Sequence, residues 1–177
     1  MPAKPIAISN YDFKSADRLF FDTNIWLSLY GLRKPHDPRA IIYSRIFKEI
    51  LNAGSRIYID VLIVSEFMNA YARNKHKSNS KGKFKEYRQS RAFEKIAKEI
   101  ADAARRILKH CEFITSNLNT SKINVLIDEY AEGKSDFNDQ VITEICKRKR
   151  LKLITDDGDF LGKGIQVLTA NKKMLQN

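Results

Sequence analysis

Residues 18–26 read RLFFDTNIW: the apolar run Leu19, Phe20 and Phe21 stops abruptly at Asp22, and Thr23 and Asn24 intervene before apolar residues resume at Ile25. A run this short has the length of a buried strand rather than of a helix. An acid at the point where such a strand leaves the core is either the N-cap of a following helix, here over residues 24–30, or a charge held for chemistry. Four further strand candidates lie at 56–59, 112–114, 151–155 and 165–169.

Helical patterns fill the intervals. Asp37-Pro38 supplies a cap followed by proline at the first helical position, opening a helix with Ile42, Ile46, Phe47 and Ile50 on one face and Gly54 beyond its end. A longer helix carries Phe93, Ile96, Ile100, Ala104, Ile107 and Leu108 at helical spacing, and another carries Ile123, Leu126, Ile127 and Tyr130. Strands alternating with helices imply an α/β fold around a mainly parallel sheet.

The chain has 177 residues, enough for one domain spanning 1–177 with a sizeable core. Its 32 Lys and Arg against 21 Asp and Glu leave a formal charge of +11, which favours a polyanionic partner over a neutral metabolite. Cys111 and Cys146 have no CxxC or Cys/His spacing, so neither a zinc site nor a disulfide framework is expected. The opening residues lack the apolar core of a signal peptide, and no segment approaches the ~20 apolar residues of a membrane span, so a soluble, cytoplasmic protein is expected.

One stretch differs in composition. Residues 73–91, RNKHKSNSKGKFKEYRQSR, hold eight Lys or Arg and one Glu. The first half reads as an exposed excursion and the second as the basic start of the long helix. It is either a solvated surface or an arm that contacts phosphates through Lys81, Lys83, Lys85, Arg88 and Arg91, with Phe84 and Tyr87 placed to stack on bases.

The acids break their local patterns at four places. Asp22 ends a strand. Glu66 falls on a helical stripe with Leu62, Ile63 and Ala70, where an ionised carboxylate is costly without a partner. Asp136 and Asp139 open the segment SDFNDQVITEICKRKR; at about 100° per residue Asp139 lies at the edge of the apolar face of Phe137, Val141, Ile142 and Ile145, with Asp136 further round. The strand Leu151 to Ile154 again ends in a hydroxyl residue and acids, Thr155, Asp156, Asp157 and Asp159, at least one of which is turn chemistry around Asp157-Gly158.

Each acid has an ordinary explanation alone, as cap, buried ion pair or turn. Taken together they describe carboxylates that repel one another unless protonated or metallated, and in a basic chain a hard divalent cation, Mg²⁺ or Mn²⁺, resolves the conflict through oxygen ligands. Such an ion activates water toward a phosphodiester. The three histidines lie apart from these acids in sequence, and GxxxxGK[ST] and GxGxxG are both absent.

The strand ending FDTN, the glutamate of VSEFMNAY, the acid of DFNDQVI and the strand ending ITDDGDF resemble, in that order, the acidic motifs of PIN-domain nucleases, including the ribonuclease toxins of VapBC-type toxin-antitoxin pairs. The resemblance spans roughly residues 18–170. It implies a three-layer α/β/α sandwich with about five strands, and metal positions at Asp22, Glu66, Asp139 and Asp157. It further implies support from Asn24 and Thr155, with Asp136 and Asp156 adjacent, and it favours Asp157 over Asp156 as the fourth ligand. The implied activity is Mg²⁺- or Mn²⁺-dependent cleavage of RNA by a homodimer, with a small antitoxin as partner if the chain is a toxin. The basic stretch and the helix after it make the chain longer than compact toxins of the family. The competing expectations are a non-catalytic RNA-binding or protein-interaction module of the same fold, and a related DNA nuclease.

Overall fold

The computed structural model describes residues 4–31, 36–79, 82–133 and 135–176. Six strands run in parallel: β1 (Ile6–Ala7), β2 (Arg18–Phe21), β3 (Arg56–Ile59), β4 (Glu112–Phe113), β5 (Lys152–Ile154) and β6 (Val167–Thr169), in the spatial order β1-β6-β5-β2-β3-β4. The five strands expected from the sequence are all present. The sixth, β1, is a two-residue edge strand and too short to leave a pattern.

Eight helices connect them: α1 (Thr23–Tyr30), α2 (Pro38–Asn52), α3 (Val61–Asn79), α4 (Phe84–Arg88), α5 (Arg91–Leu108), α6 (Thr120–Ala131), α7 (Phe137–Lys149) and α8 (Lys172–Leu175). The chain moves outward from β2 through β3 to β4, and α1, α3 and α5 pack on one another along that path. It then returns through α6 and α7 to β5, on the other side of β2. Right-handed crossovers in opposite directions put the two helix sets on opposite faces, which makes the α/β/α sandwich. Between them Leu19, Phe20, Leu153 and Ile154 are fully buried, with Trp26 wedged against Phe21 and Phe47.

The reversal of strand order between β2 and β5 opens a crevice at their carboxyl ends. Phe21 pairs with Ile154, so the next residues, Asp22 and Thr155, face each other where the sheet ends.

The basic stretch folds differently from expectation. Residues 73–79 continue α3, a separate short helix α4 covers 84–88, and α5 begins at Arg91. Lys81 lies outside the described residues. Tyr87 is buried against His76 and Phe93, and Phe84 is covered by the guanidinium groups of Arg73 and Arg88. Both aromatics are thus used to dock α4 and are not presented for base stacking.

Candidate functional site

Asp22 is 7% exposed and serves as both helix cap and sheet-end charge. One of its oxygens accepts the Thr23 amide at 2.6 Å; the other accepts the Thr155 hydroxyl at 2.6 Å and the Asn24 side-chain amide at 2.5 Å. Asn24 also donates to Thr155 Oγ1 at 3.1 Å, closing a three-residue ring across the crevice. Asn24 and Thr155, expected to support Asp22, do so by direct hydrogen bonds.

Glu66 projects from α3. One oxygen accepts the Thr23 hydroxyl at 2.8 Å, and the other accepts the side-chain amide of Asn138, on α7. Neutral donors, rather than a lysine or arginine, hold this carboxylate. Asn138 escaped the sequence reading; its sole signal was its place one residue before Asp139.

Asp136 and Asp139 separate cleanly. Asp136 is an exposed N-cap of α7, accepting the Asn138 amide at 2.9 Å. Asp139 is partly buried, and its carboxyl is pushed up to about 6, first by burial and then by the charges of Asp157, Asp136 and Asp159, against the opposing pull of Lys163. Lys163 was not anticipated either; it sits between two glycines of positive φ, Gly162 and Gly164, and its ammonium donates to Ser135 Oγ.

The adjacent acids after β5 point to different partners. Asp156 turns toward the far end of the sheet, where its carboxylate accepts the Tyr43 hydroxyl and, at 3.1 Å, the Thr169 hydroxyl, with Arg39 at 3.6 Å. That makes its side chain a tie between α2, β5 and β6, while its backbone amide donates to Asn24 Oδ1 at 3.4 Å, beside Asp22. Asp157 caps the turn at 158–160, accepting the Asp159 amide at 3.0 Å, and its charge is felt by both Asp22 and Asp139. The end of β3 carries a further acid, Asp60, 4% exposed, which accepts the Leu62 amide at 2.9 Å as the cap of α3.

Burial raises the Asp22 carboxyl to about 6; hydrogen bonds from Thr155 and Thr23 act against this, and the charges of Glu66 and Asp157 add to it. The four carboxylates are therefore electrostatically joined. Among the described residues no three acidic, histidine or cysteine groups are drawn together at the spacing that would enclose an ion. The donor set still fits a hard cation: it is all oxygen, with Lys163 the cation that acts on Asp139, and Mg²⁺ keeps several waters and takes only one or two carboxylates directly.

Comparison with known proteins agrees with this architecture. The PIN domain family matches residues 19–165. No curated protein matches the chain. Among solved structures, the chain is similar to one in the crystal structure of VapBC2 from Rickettsia felis bound to a DNA fragment from their promoter, with a TM-score of 0.53 and 15% identity over 86% of this chain and 98% of that one. At that identity the likeness is one of fold.

Proposed function

This chain belongs to the PIN-domain family, and from that premise we propose that it is a metal-dependent endoribonuclease hydrolysing RNA phosphodiester bonds. The observation that supports the reading is a chain of like charges at the switch point of the sheet, Glu66 and Asp157 acting on Asp22 and Asp157 on Asp139, in a chain of charge +11.

These four residues would hold Mg²⁺ or Mn²⁺, which when bound supplies an activated water and neutralises charge on the attacked phosphate. The rest is the work of the chain. Thr155 and Asn24 fix the orientation of Asp22, and Thr23 and Asn138 fix that of Glu66, so neither carboxylate must reorganise on binding. Lys83, Lys85, Arg88 and Arg91, with Lys81, hold the strand by its phosphates.

The test is cleavage of a mixed single-stranded RNA, and of the matched DNA, in Mg²⁺, Mn²⁺ or EDTA, alongside Asp22→Asn. Metal-dependent RNA cleavage lost in the variant supports the reading. Preferential cleavage of DNA would reassign the substrate, and RNA binding without cleavage would favour a non-catalytic module. Likeness to a chain of a VapBC2 structure favours a toxin role, with a small antitoxin partner and a homodimer. Co-expression with the product of an adjacent small reading frame should then yield a complex that suppresses cleavage, and light scattering of the chain alone should return twice the monomer mass.

A further inference from the structure

Beside Asp139, α6, α7 and the loop around Lys163 line a pocket of about 220 Å³ that opens to solvent. Gln140 and Thr143, on adjacent turns of α7, line it, and they are only 5% and 6% exposed. Among the described residues, both the oxygen and the nitrogen of the Gln140 amide and the Thr143 hydroxyl lack any hydrogen-bond partner. Buried polar groups are nearly always paired, and leaving them unpaired costs more than replacing them with apolar groups of the same shape. Three such atoms on two residues that line one pocket mark a place where a group offering both a donor and an acceptor is stabilised.

The charges around the cavity narrow its identity. Lys122 is neutralised by Glu144 at 3.1 Å, which leaves Lys147 and Lys163 against Glu129. Lys147 packs beside Gly164, so the two lysines share the loop side of the cavity. A glutamine amide presents a donor and an acceptor side by side, the complement of a nucleobase edge. The volume lies below that of a drug-sized pocket, ~300 Å³ or more, and suits one small planar group.

We propose that this cavity seats one nucleotide of the RNA strand next to the scissile bond, its base on Gln140 and Thr143 and its phosphate on Lys147 and Lys163. The choice of RNA rests on the nuclease reading; the fit to a donor–acceptor ligand does not. The subsite would make cleavage dependent on the identity of one base.

The test has two arms. In EDTA, the Gln140 side-chain amide is followed by NMR while each of the four nucleoside 5′-monophosphates, and then short RNAs differing at a single position, are titrated into the whole protein. A shift of that amide with one preferred base, and in parallel with the RNA carrying it, is expected. Gln140→Leu and Thr143→Val, checked for folding by thermal melts, should then reduce discrimination between bases roughly tenfold, in RNA binding and in cleavage. An amide unmoved by every ligand, or unchanged discrimination in both variants, would overturn the subsite while leaving any metal-dependent cleavage intact. Response to free monophosphates without response to RNA would also overturn it, in favour of a free-nucleotide site. A shift persisting in a chain that never cleaves would sink the nuclease reading and leave the base site standing.

Discussion

At Asp22 one oxygen is committed to the amide that starts α1 and the other to Thr155 and Asn24, so the residue caps a helix and presents charge to the crevice together. Its raised pKa has a thermodynamic consequence. The folded state holds the proton more tightly than the unfolded chain, so this group's contribution to stability is greatest at low pH and is lost as pH rises from about 4 through about 6. The effect is on the order of 3 kcal/mol in metal-free protein. Asp22→Asn should remove that dependence and lie within about 1–2 kcal/mol of wild type at pH 7.5, because relief of burial and repulsion is offset by the loss of an acceptor that Thr155 and Asn24 share. Denaturant unfolding in EDTA at pH 5 and 7.5 measures it. The comparison must be made with the variant, since Glu112, held low by the Arg56 guanidinium, contributes in the opposite sense. The neighbouring acids after β5 predict a contrast. Asp156→Ala should cost about 2–4 kcal/mol, because it strands the buried Tyr43 and Thr169 hydroxyls, yet cleavage by the folded fraction should survive. Asp157→Asn should abolish cleavage with little loss of stability. Equal effects from the two would undo the division of roles.

Among the elements, α1, α3 and α7 meet at Glu66, whose oxygens take one donor from the first residue of α1 and another from the first turn of α7. Helix periodicity identified the glutamate as out of place on an apolar stripe. It could not identify its partners, 43 and 72 residues away in the chain. The basic segment teaches the converse. Composition marked it as a charged surface, but tertiary packing made Tyr87 part of an aromatic cluster and spread the segment over α3, α4 and α5. Its cations remain outward, so phosphate contact predicts a counterion effect without base stacking. Replacing Lys83, Lys85 and Arg88 by Gln should weaken RNA binding and reduce the slope of log K against log salt by about 2. An unchanged slope would leave α4 a solvated helix. Phe84→Ala should lower stability rather than affinity alone, since its ring supports Arg73 and Arg88.

For the molecule as a whole, the sheet brings together residues from four separate segments, and under the proposed function the repulsion among their carboxylates would be relieved by a divalent cation. Mn²⁺ at about ten times its Kd should therefore stabilise the protein by about 1.4 kcal/mol, raising Tm by about 3–5 °C for a chain of this size. The same addition to Asp22→Asn should leave Tm nearly unmoved, and an equal rise in both would place the ion elsewhere. Residue order and periodicity alone determined the α/β class, five of the six strands, the α2 cap at Asp37 and the list of acids that break their patterns, because those features depend on neighbours a few positions apart. Three things were decided only by tertiary structure: that Tyr43 and Thr169 take the Asp156 carboxylate, that Asn138 holds Glu66 and Lys163 acts on Asp139, and that, among the described residues, Gln140 and Thr143 line a pocket with their polar atoms unpaired. Each depends on which groups from distant segments are packed against one another, and burial and hydrogen-bond satisfaction there are properties of the packed chain rather than of any stretch within it.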